Sequence, residues 1–286
     1  MVTDRTTGPP GLFDGGLDRD PYPAYRVLRE RYPLVHDLRL GAWVVSRYAD
    51  VAAALTDPRL VRPRSTRCCE PGDLRCAGAS SPGGQREIAE RTAYVLARRL
   101  AGRGQADLVA EFCRWLPAGV LATASRLPYG AYARLRVATT ERALASLLGN
   151  LLDHPAQLAS LRAAPGLIPR AWAETLRRNP PVHVLLRTAV QDVPLAGGTV
   201  PAGATVACLV GAAGRDPDRF ANPDRFDLHR SDTGQPAAGC PAALLAQYGV
   251  RALLDAMPGL RYADGFRPAE TGLLTRSPRS LLVQPG

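Results

Sequence analysis

Apolar residues recur at helical spacing through the first two thirds of the chain, and alternating or β-branched runs appear near both ends. The longest helix is predicted at residues 86–100, where one face carries apolar side chains and Gly102 follows as a stop signal. Helices are predicted at residues 24–31, 49–55, 86–100, 107–127, 132–152, 157–163, 169–178 and 244–256. Strands are predicted at residues 38–45 (a hairpin), 184–190, 193–195, 206–210 and within 260–283. The pattern therefore predicts a mainly α fold with small β-sheets (α+β).

The composition is that of a globular protein. Of the 286 residues, 46% are hydrophobic, which is enough for a substantial core. The chain has no apolar run of the ~18 residues that a spanning helix needs, and no signal peptide is recognised at its start. We therefore expect a cytoplasmic protein without a membrane segment. Residues 1–17 are expected to be a flexible tail, and residues 18–286 are expected to form a single domain.

The charge favours an acidic partner rather than nucleic acid. All 36 basic residues are arginine, and the net charge is +10. The arginines are scattered, and no nucleic-acid-reading motif accompanies them. The bias towards Ala, Arg, Gly and Pro is typical of a GC-rich coding sequence. The six cysteines show no zinc-ligand spacing, so reduced thiols and no metal site are expected.

Several motifs in a fixed order carry a family resemblance. They are the opening DPYPAYRVLRERYP, the ExxR of AWAETLRRNPPV, the strand RTAV, the turn PAG and the loop FANPDRF. Together they resemble the bacterial cytochrome P-450 superfamily over nearly the whole chain. The resemblance implies a truncated P-450-like fold, which lacks the helices that roof the pocket and part of the long central helix. These helices would be missing between Leu127 and Ala138.

The retained motif residues indicate fold rather than activity. Glu174 and Arg177 lie three residues apart and share one helical face. Arg225 is expected to bring a second guanidinium to the same carboxylate, giving a charge-assisted network that pins a loop to a helix. In the family this triad is a structural feature. The resemblance also places Arg187 where family members contact a haem propionate.

The haem-binding loop departs from the family pattern. Cys240 and Gly234 match the expected positions. Pro236 replaces a glycine and has no N–H to direct towards a thiolate, and Ala238 replaces the cation that would bind a propionate. A match without gaps, counted from the end of the final helix, would put Pro236 at the ligand position. Cys240 is therefore either an iron ligand of haem b or a buried structural thiol.

The helix that activates oxygen in family members also differs from the family pattern in this sequence. Counting back from His154-Pro155 places Thr139 on the family threonine but Ala138 on the acid that would relay protons to bound oxygen. Leu135 and Arg136 replace the expected pair of small residues.

These losses leave three functions open, and they favour a role without catalysis. The first is a haem-free accessory protein, a pseudoenzyme in actinobacterial secondary metabolism. It would resemble the P-450-like auxiliary proteins that bind and activate antibiotic glycosyltransferases as heterodimers. The second is a haem-thiolate monooxygenase that uses Cys240, Arg187 and Thr139. The third is a haem-free cyclase or isomerase that uses the vacated pocket, which His183 is a candidate to face.

Overall fold

The computed structural model describes residues 8–63, 82–125, 137–232, 234 and 241–286, and these residues divide into two compact units. Unit 1 contains residues 8–63, 182–224 and 271–276. Unit 2 contains residues 82–125, 137–181, 225–232, 234, 241–270 and 277–286.

Helices predominate, and the strands are short. The helices are α1 (Tyr22–Arg31), α2 (Tyr48–Thr56), α3 (Pro82–Ala101), α4 (Trp115–Ala124), α5 (Ala138–Asp153), α6 (Pro155–Ala163), α7 (Ile168–Arg178), α8 (Val210–Ala213) and α9 (Pro241–Ala256). The strands are β1 (Leu34–Asp37), β2 (Ala42–Val45), β3 (Leu60–Val61), β4 (Ala106–Asp107), β5 (Val184–Ala189), β6 (Val193–Leu195), β7 (Gly198–Val200), β8 (Thr205–Leu209), β9 (Arg261–Tyr262), β10 (Glu270–Thr271), β11 (Ser277–Pro278) and β12 (Leu282–Gln284). The predicted mainly helical architecture with small sheets is confirmed.

Unit 1 is built on a five-stranded sheet with the order β1-β2-β8-β5-β3. Strands β2 and β8 are parallel, whereas the other neighbouring pairs are antiparallel. Strand β8 is central and buried over most of its length, as its apolar run Val206–Leu209 predicts. Helix α1 packs its buried Tyr25 and Leu28 with residues of β2, β5 and β8. The β6–β7 hairpin adds Val193 and Val200 to a second apolar cluster.

The first hairpin is shifted from its predicted position. The sequence pattern predicts the hairpin at residues 38–45, but its first strand is β1 and residues 38–41 form the turn. The carboxylate of Asp37 explains the shift, because it accepts hydrogen bonds from the N–H groups of Arg39 (2.9 Å) and Leu40 (3.0 Å). Gly41 closes the turn with φ of +63°, a conformation that glycine adopts at little cost.

Unit 2 surrounds a helix that is buried on all sides. In α5 every residue from Ala143 to Leu152 is buried, so this helix is internal rather than amphipathic. Helix α7 buries Ile168, Ala171 and Trp172 at the spacing that predicts it, and it ends just before Pro180. Strands β4, β12 and β9 form a three-stranded sheet in that order.

Two helix predictions in unit 2 are corrected. The single helix predicted at residues 107–127 is instead β4, a π-helical turn (Val109–Cys113) and α4. Pro117 gives the physical reason, because it has no N–H to bond back to the carbonyl of residue 113. The helix predicted at residues 132–152 is described from Ala138 onwards, and residues 126–136 lie outside the described ranges.

The N-terminal segment is partly packed against the fold. In the described part of the predicted tail, residues 8–17, the side chains of Leu12 and Leu17 are buried. The N–H of Leu12 donates to the Asp37 carboxylate at 2.8 Å.

Among the described residues, no helix is both long enough and apolar enough to cross a membrane.

Candidate functional site

The carboxylate of Glu174 on α7 is fully buried. Arg177, one turn later, donates to it twice, from Nε at 2.7 Å and from Nη2 at 2.8 Å, and both side chains are fully buried. Arg230 donates from Nε to the same carboxylate at 3.2 Å, and the backbone N–H of Asp227 donates at 3.1 Å. This bidentate, charge-assisted pair holds the segment after Arg225 against α7.

The predicted role of the Arg225 side chain is corrected. The second guanidinium at Glu174 belongs to Arg230, whereas the side chain of Arg225 is exposed. Arg225 contributes its carbonyl oxygen, which accepts from Nη2 of Arg177 at 3.1 Å. Both arginines lie in one loop, so spacing in the sequence does not say which of them turns inwards.

A polar network that the sequence analysis missed continues from this helix. Asn150 of α5 lies within 3.4 Å of the Thr175 hydroxyl, and its side-chain oxygen accepts from Arg178 at 2.7 Å. Arg178 also donates to Asn179, whose amide donates to the carboxylate of Glu270 at 3.1 Å. The network joins α5, α7 and β10. The asparagine in the mostly apolar run from Ala143 to Leu152 is a sequence signal that could have pointed to it.

His183 is fully buried in unit 1. Its Nδ1 lies 3.4 Å from the Tyr25 hydroxyl, its ring contacts Tyr22, and the guanidinium of Arg215 stacks on Tyr22 at 3.3 Å. Burial, together with the charges of Arg276 and Arg215, lowers the pKa of His183 to about 3, so the ring is neutral at physiological pH.

The two ring nitrogens of His183 differ in their surroundings. Burial raises the pKa of the Tyr25 phenol, which therefore keeps its proton at neutral pH beside Nδ1. Nε2 is buried and has no hydrogen-bond partner within the part of the chain that the structure describes. This enclosure leaves the cyclase or isomerase alternative without a named acid–base group.

The haem positions implied by the family fall in different parts of the chain. Arg187 lies on β5, is buried, and donates from Nη1 to the carbonyl of Leu186 at 2.9 Å. Thr139 is partly buried in the first turn of α5, directly after Ala138. Cys240 lies outside the described residues.

These residues fit haem poorly. Helix α5 begins at Ala138, so the position expected to supply a proton-relaying carboxylate carries a methyl group at a helix start. In the sequence, Pro236 offers no N–H to a thiolate, and Ala238 offers no cation to a propionate.

Comparisons with known proteins agree with the family resemblance of the sequence motifs. The family model of cytochrome P450 matches residues 167–241, which include Glu174, Arg177 and Arg187. The chain is 32% identical to Protein DesVIII of Streptomyces venezuelae over 334 positions, covering 88% of this chain and 83% of that protein. It is 36% identical to pulcherriminic acid synthase of Bacillus subtilis (strain 168) over 162 residues, and this match covers 50% of the chain but 40% of the synthase.

A solved structure shows the same fold. The crystal structure of P450BioI in complex with an acyl carrier protein ligated to hexadec-9Z-enoic acid matches with a TM-score of 0.80 at 24% identity. The match covers 94% of this chain and 99% of the compared chain. Together with the extensive match to Protein DesVIII, the fold and the ordered motifs identify the chain as a member of the cytochrome P450 superfamily.

Proposed function

We propose that this chain is a haem-free accessory protein that binds and activates a glycosyltransferase of natural-product biosynthesis. The observation that carries the proposal is a contrast within unit 2. The Glu174–Arg177 pair that maintains the fold is intact and fully buried, whereas the acid position of the oxygen-activating helix is Ala138. Selection for haem chemistry would retain both the Glu174–Arg177 pair and an acid at position 138, whereas selection for a folded surface requires only the pair.

The mechanism is a shift in the partner's conformational equilibrium. An accessory protein that binds the competent conformation of a transferase more tightly raises the population of that conformation. Moving the partner from about 1% to about 99% competent requires a binding preference of about 10⁴-fold for that state. No catalytic group of this chain takes part, so the loss of the acid at position 138 carries no penalty.

A second candidate, a haem-thiolate monooxygenase, is favoured by the buried Arg187 on β5 together with the cysteine at position 240. In that case haem would be held by Cys240 and Arg187 and would supply oxygen chemistry when bound. An absorption spectrum separates the two candidates. The protein is purified from cells supplied with a haem precursor, then reduced and exposed to carbon monoxide.

We expect no Soret absorbance. A Soret band that shifts to the red with carbon monoxide, and that disappears in Cys240→Ala but persists in Cys208→Ala, would establish the monooxygenase instead. Cys208 is the matched control because it is a buried cysteine on β8.

Partner activation is tested by co-expression with glycosyltransferases encoded beside the gene. We expect one of them to co-purify in a stoichiometric complex and to turn over at least tenfold faster than it does alone. A transferase of the same gene cluster that is fully active without this chain would overturn the proposal.

A further inference from the structure

Helix α3 carries two unlike faces. Its buried side consists of Ala89, Ala93, Ala97 and Leu100. On the opposite side Val95 is 62% exposed, although the sequence periodicity groups it with the apolar face. Arg91 lies four residues before Val95, and Arg98 and Arg99 lie three and four residues after it. All three arginines are exposed, so the valine stands among guanidinium groups on the outer surface of the helix. These four residues are called the α3 face below.

The arginines of the α3 face are not neutralised within the described chain. Neither Arg91 nor Arg99 has a hydrogen-bond or ion-pair partner among the described residues, and the one contact of Arg98 there is with the ring of Tyr94. Two nearby arginines behave differently. Arg103 is paired with Glu111, and Arg251 is paired with Asp255 on α9. Acidic side chains are therefore available in unit 2. Glu87, four residues before Arg91 on α3, is exposed as well, but no ion pair joins it to Arg91 among the described residues.

The usual reasons for exposed arginines explain part of this arrangement. Arg98 and Arg99 lie in the last turn of α3, where cations complement the helix dipole. That effect does not extend to Arg91, two turns earlier, and it gives no reason for an exposed branched side chain between the cations. Arginine is instead enriched at protein interfaces relative to the rest of the surface, so exposed arginines around an apolar side chain fit an interface.

We propose that the α3 face is the docking surface for an acidic region of the partner protein that surrounds a small apolar pocket. This inference rests on the proposed accessory function and names the surface through which it acts. Charge complementarity selects the occupant. The net charge of +10 attracts an acidic protein, and the three guanidiniums, which have no carboxylate partner among the described residues, match its carboxylates. Val95 distinguishes this occupant from nucleic acid, since a phosphate backbone offers nothing for a buried valine to contact.

The test uses the full-length protein immobilised for binding measurements with three probes. The first is the co-purified glycosyltransferase, the second is a synthetic acidic helical peptide of about 20 residues with leucines in the centre of its acidic face, and the third is duplex DNA. Two variants remove the α3 face: the triple substitution Arg91→Gln, Arg98→Gln, Arg99→Gln and the single substitution Val95→Glu. The control is the double substitution Arg103→Gln, Arg251→Gln, which removes two arginines of unit 2 that are already paired.

We expect the triple variant to bind the transferase and the peptide roughly 30-fold more weakly, because three charge pairs are lost. Val95→Glu is expected to weaken both by about tenfold or more, since it places a like charge against the acidic surface. The control is expected to stay within about twofold of the unchanged protein. Binding should also weaken with added salt, because the contacts at the rim are screened. All variants should melt like the unchanged protein, since the altered side chains are exposed.

The remaining outcomes separate the two proposals. If the transferase complex forms equally well with the triple variant, the α3 face is not the docking surface, but the proposed accessory function still stands. If the α3 face binds the acidic peptide but the protein binds no transferase, the docking surface is supported and the proposed accessory function is refuted. Binding to neither the transferase nor the peptide overturns the inference. Tight binding of duplex DNA that is lost in the triple variant overturns it in favour of nucleic acid.

Discussion

The buried Glu174 network gives the most incisive test of the structure. Arg177 is fully buried and donates two hydrogen bonds to Glu174, whereas Arg230 is partly buried and donates one. Arg225 reaches this network through its backbone carbonyl, and its side chain lies in solvent. The three substitutions Arg177→Met, Arg230→Gln and Arg225→Gln should therefore differ in their cost to stability, in that order.

The magnitudes follow from what each substitution leaves behind. Arg177→Met leaves a buried carboxylate with one guanidinium and one backbone N–H, and breaking a buried ion pair in this way costs about 3–5 kcal/mol. Arg230→Gln removes one hydrogen bond to a charged group, which costs about 1.5–3 kcal/mol. Arg225→Gln keeps the carbonyl contact and changes an exposed side chain, so its cost is below about 0.5 kcal/mol.

Thermal unfolding followed by circular dichroism measures these differences. At roughly 3 °C per kcal/mol for a chain of this size, the melting temperature should fall by about 10 °C or more in Arg177→Met and by about 5–9 °C in Arg230→Gln. Arg225→Gln should melt within about 2 °C of the unchanged protein. If Arg225→Gln proves as destabilising as Arg230→Gln, the assignment of the second guanidinium is wrong. If Arg177→Met does not fold at all, the comparison of the other two variants still decides the point.

Two further predictions concern His183, whose folded-state pKa of about 3 lies below its unfolded value of 6.5. The folded protein then binds fewer protons, so the contribution of His183 is fully present above about pH 6.5 and is lost as the pH falls towards 3, by at most about 1.4 kcal/mol per pH unit. Urea midpoints measured through this range should fall less steeply in His183→Gln, and parallel curves would contradict the neutral, buried ring. Gly211→Ala should cost about 1–3 kcal/mol, because the new methyl carbon would lie 2.6 Å from Nδ1 of His183. Gly166→Ala, at a position with nothing within 4 Å, should be close to neutral in the same urea titration, and equal costs would show that His183 does not press on Gly211.

Local physics allowed much of the helical framework to be read from the sequence. Helix α7 illustrates this, because its apolar spacing, the three-residue interval between Glu174 and Arg177, and the stop at Pro180 all act within the helix itself. The ordered motifs likewise placed the chain in its superfamily. The same reasoning located Ala138 and Pro236, and these two substitutions carry the argument against haem chemistry.

Long-range contacts decided the rest. Whether Arg225 or Arg230 turns towards Glu174 depends on the path of a loop across α7, and both side chains have the same chemistry. His183 is enclosed by Tyr25, which lies 158 residues earlier in the chain. The outward position of Val95 depends on which side of α3 its neighbours bury, since a helix with alanine on one face and valine on another can pack either way. Sequence patterns specify spacing along an element, whereas the direction that a side chain faces is fixed by what the rest of the fold packs against it.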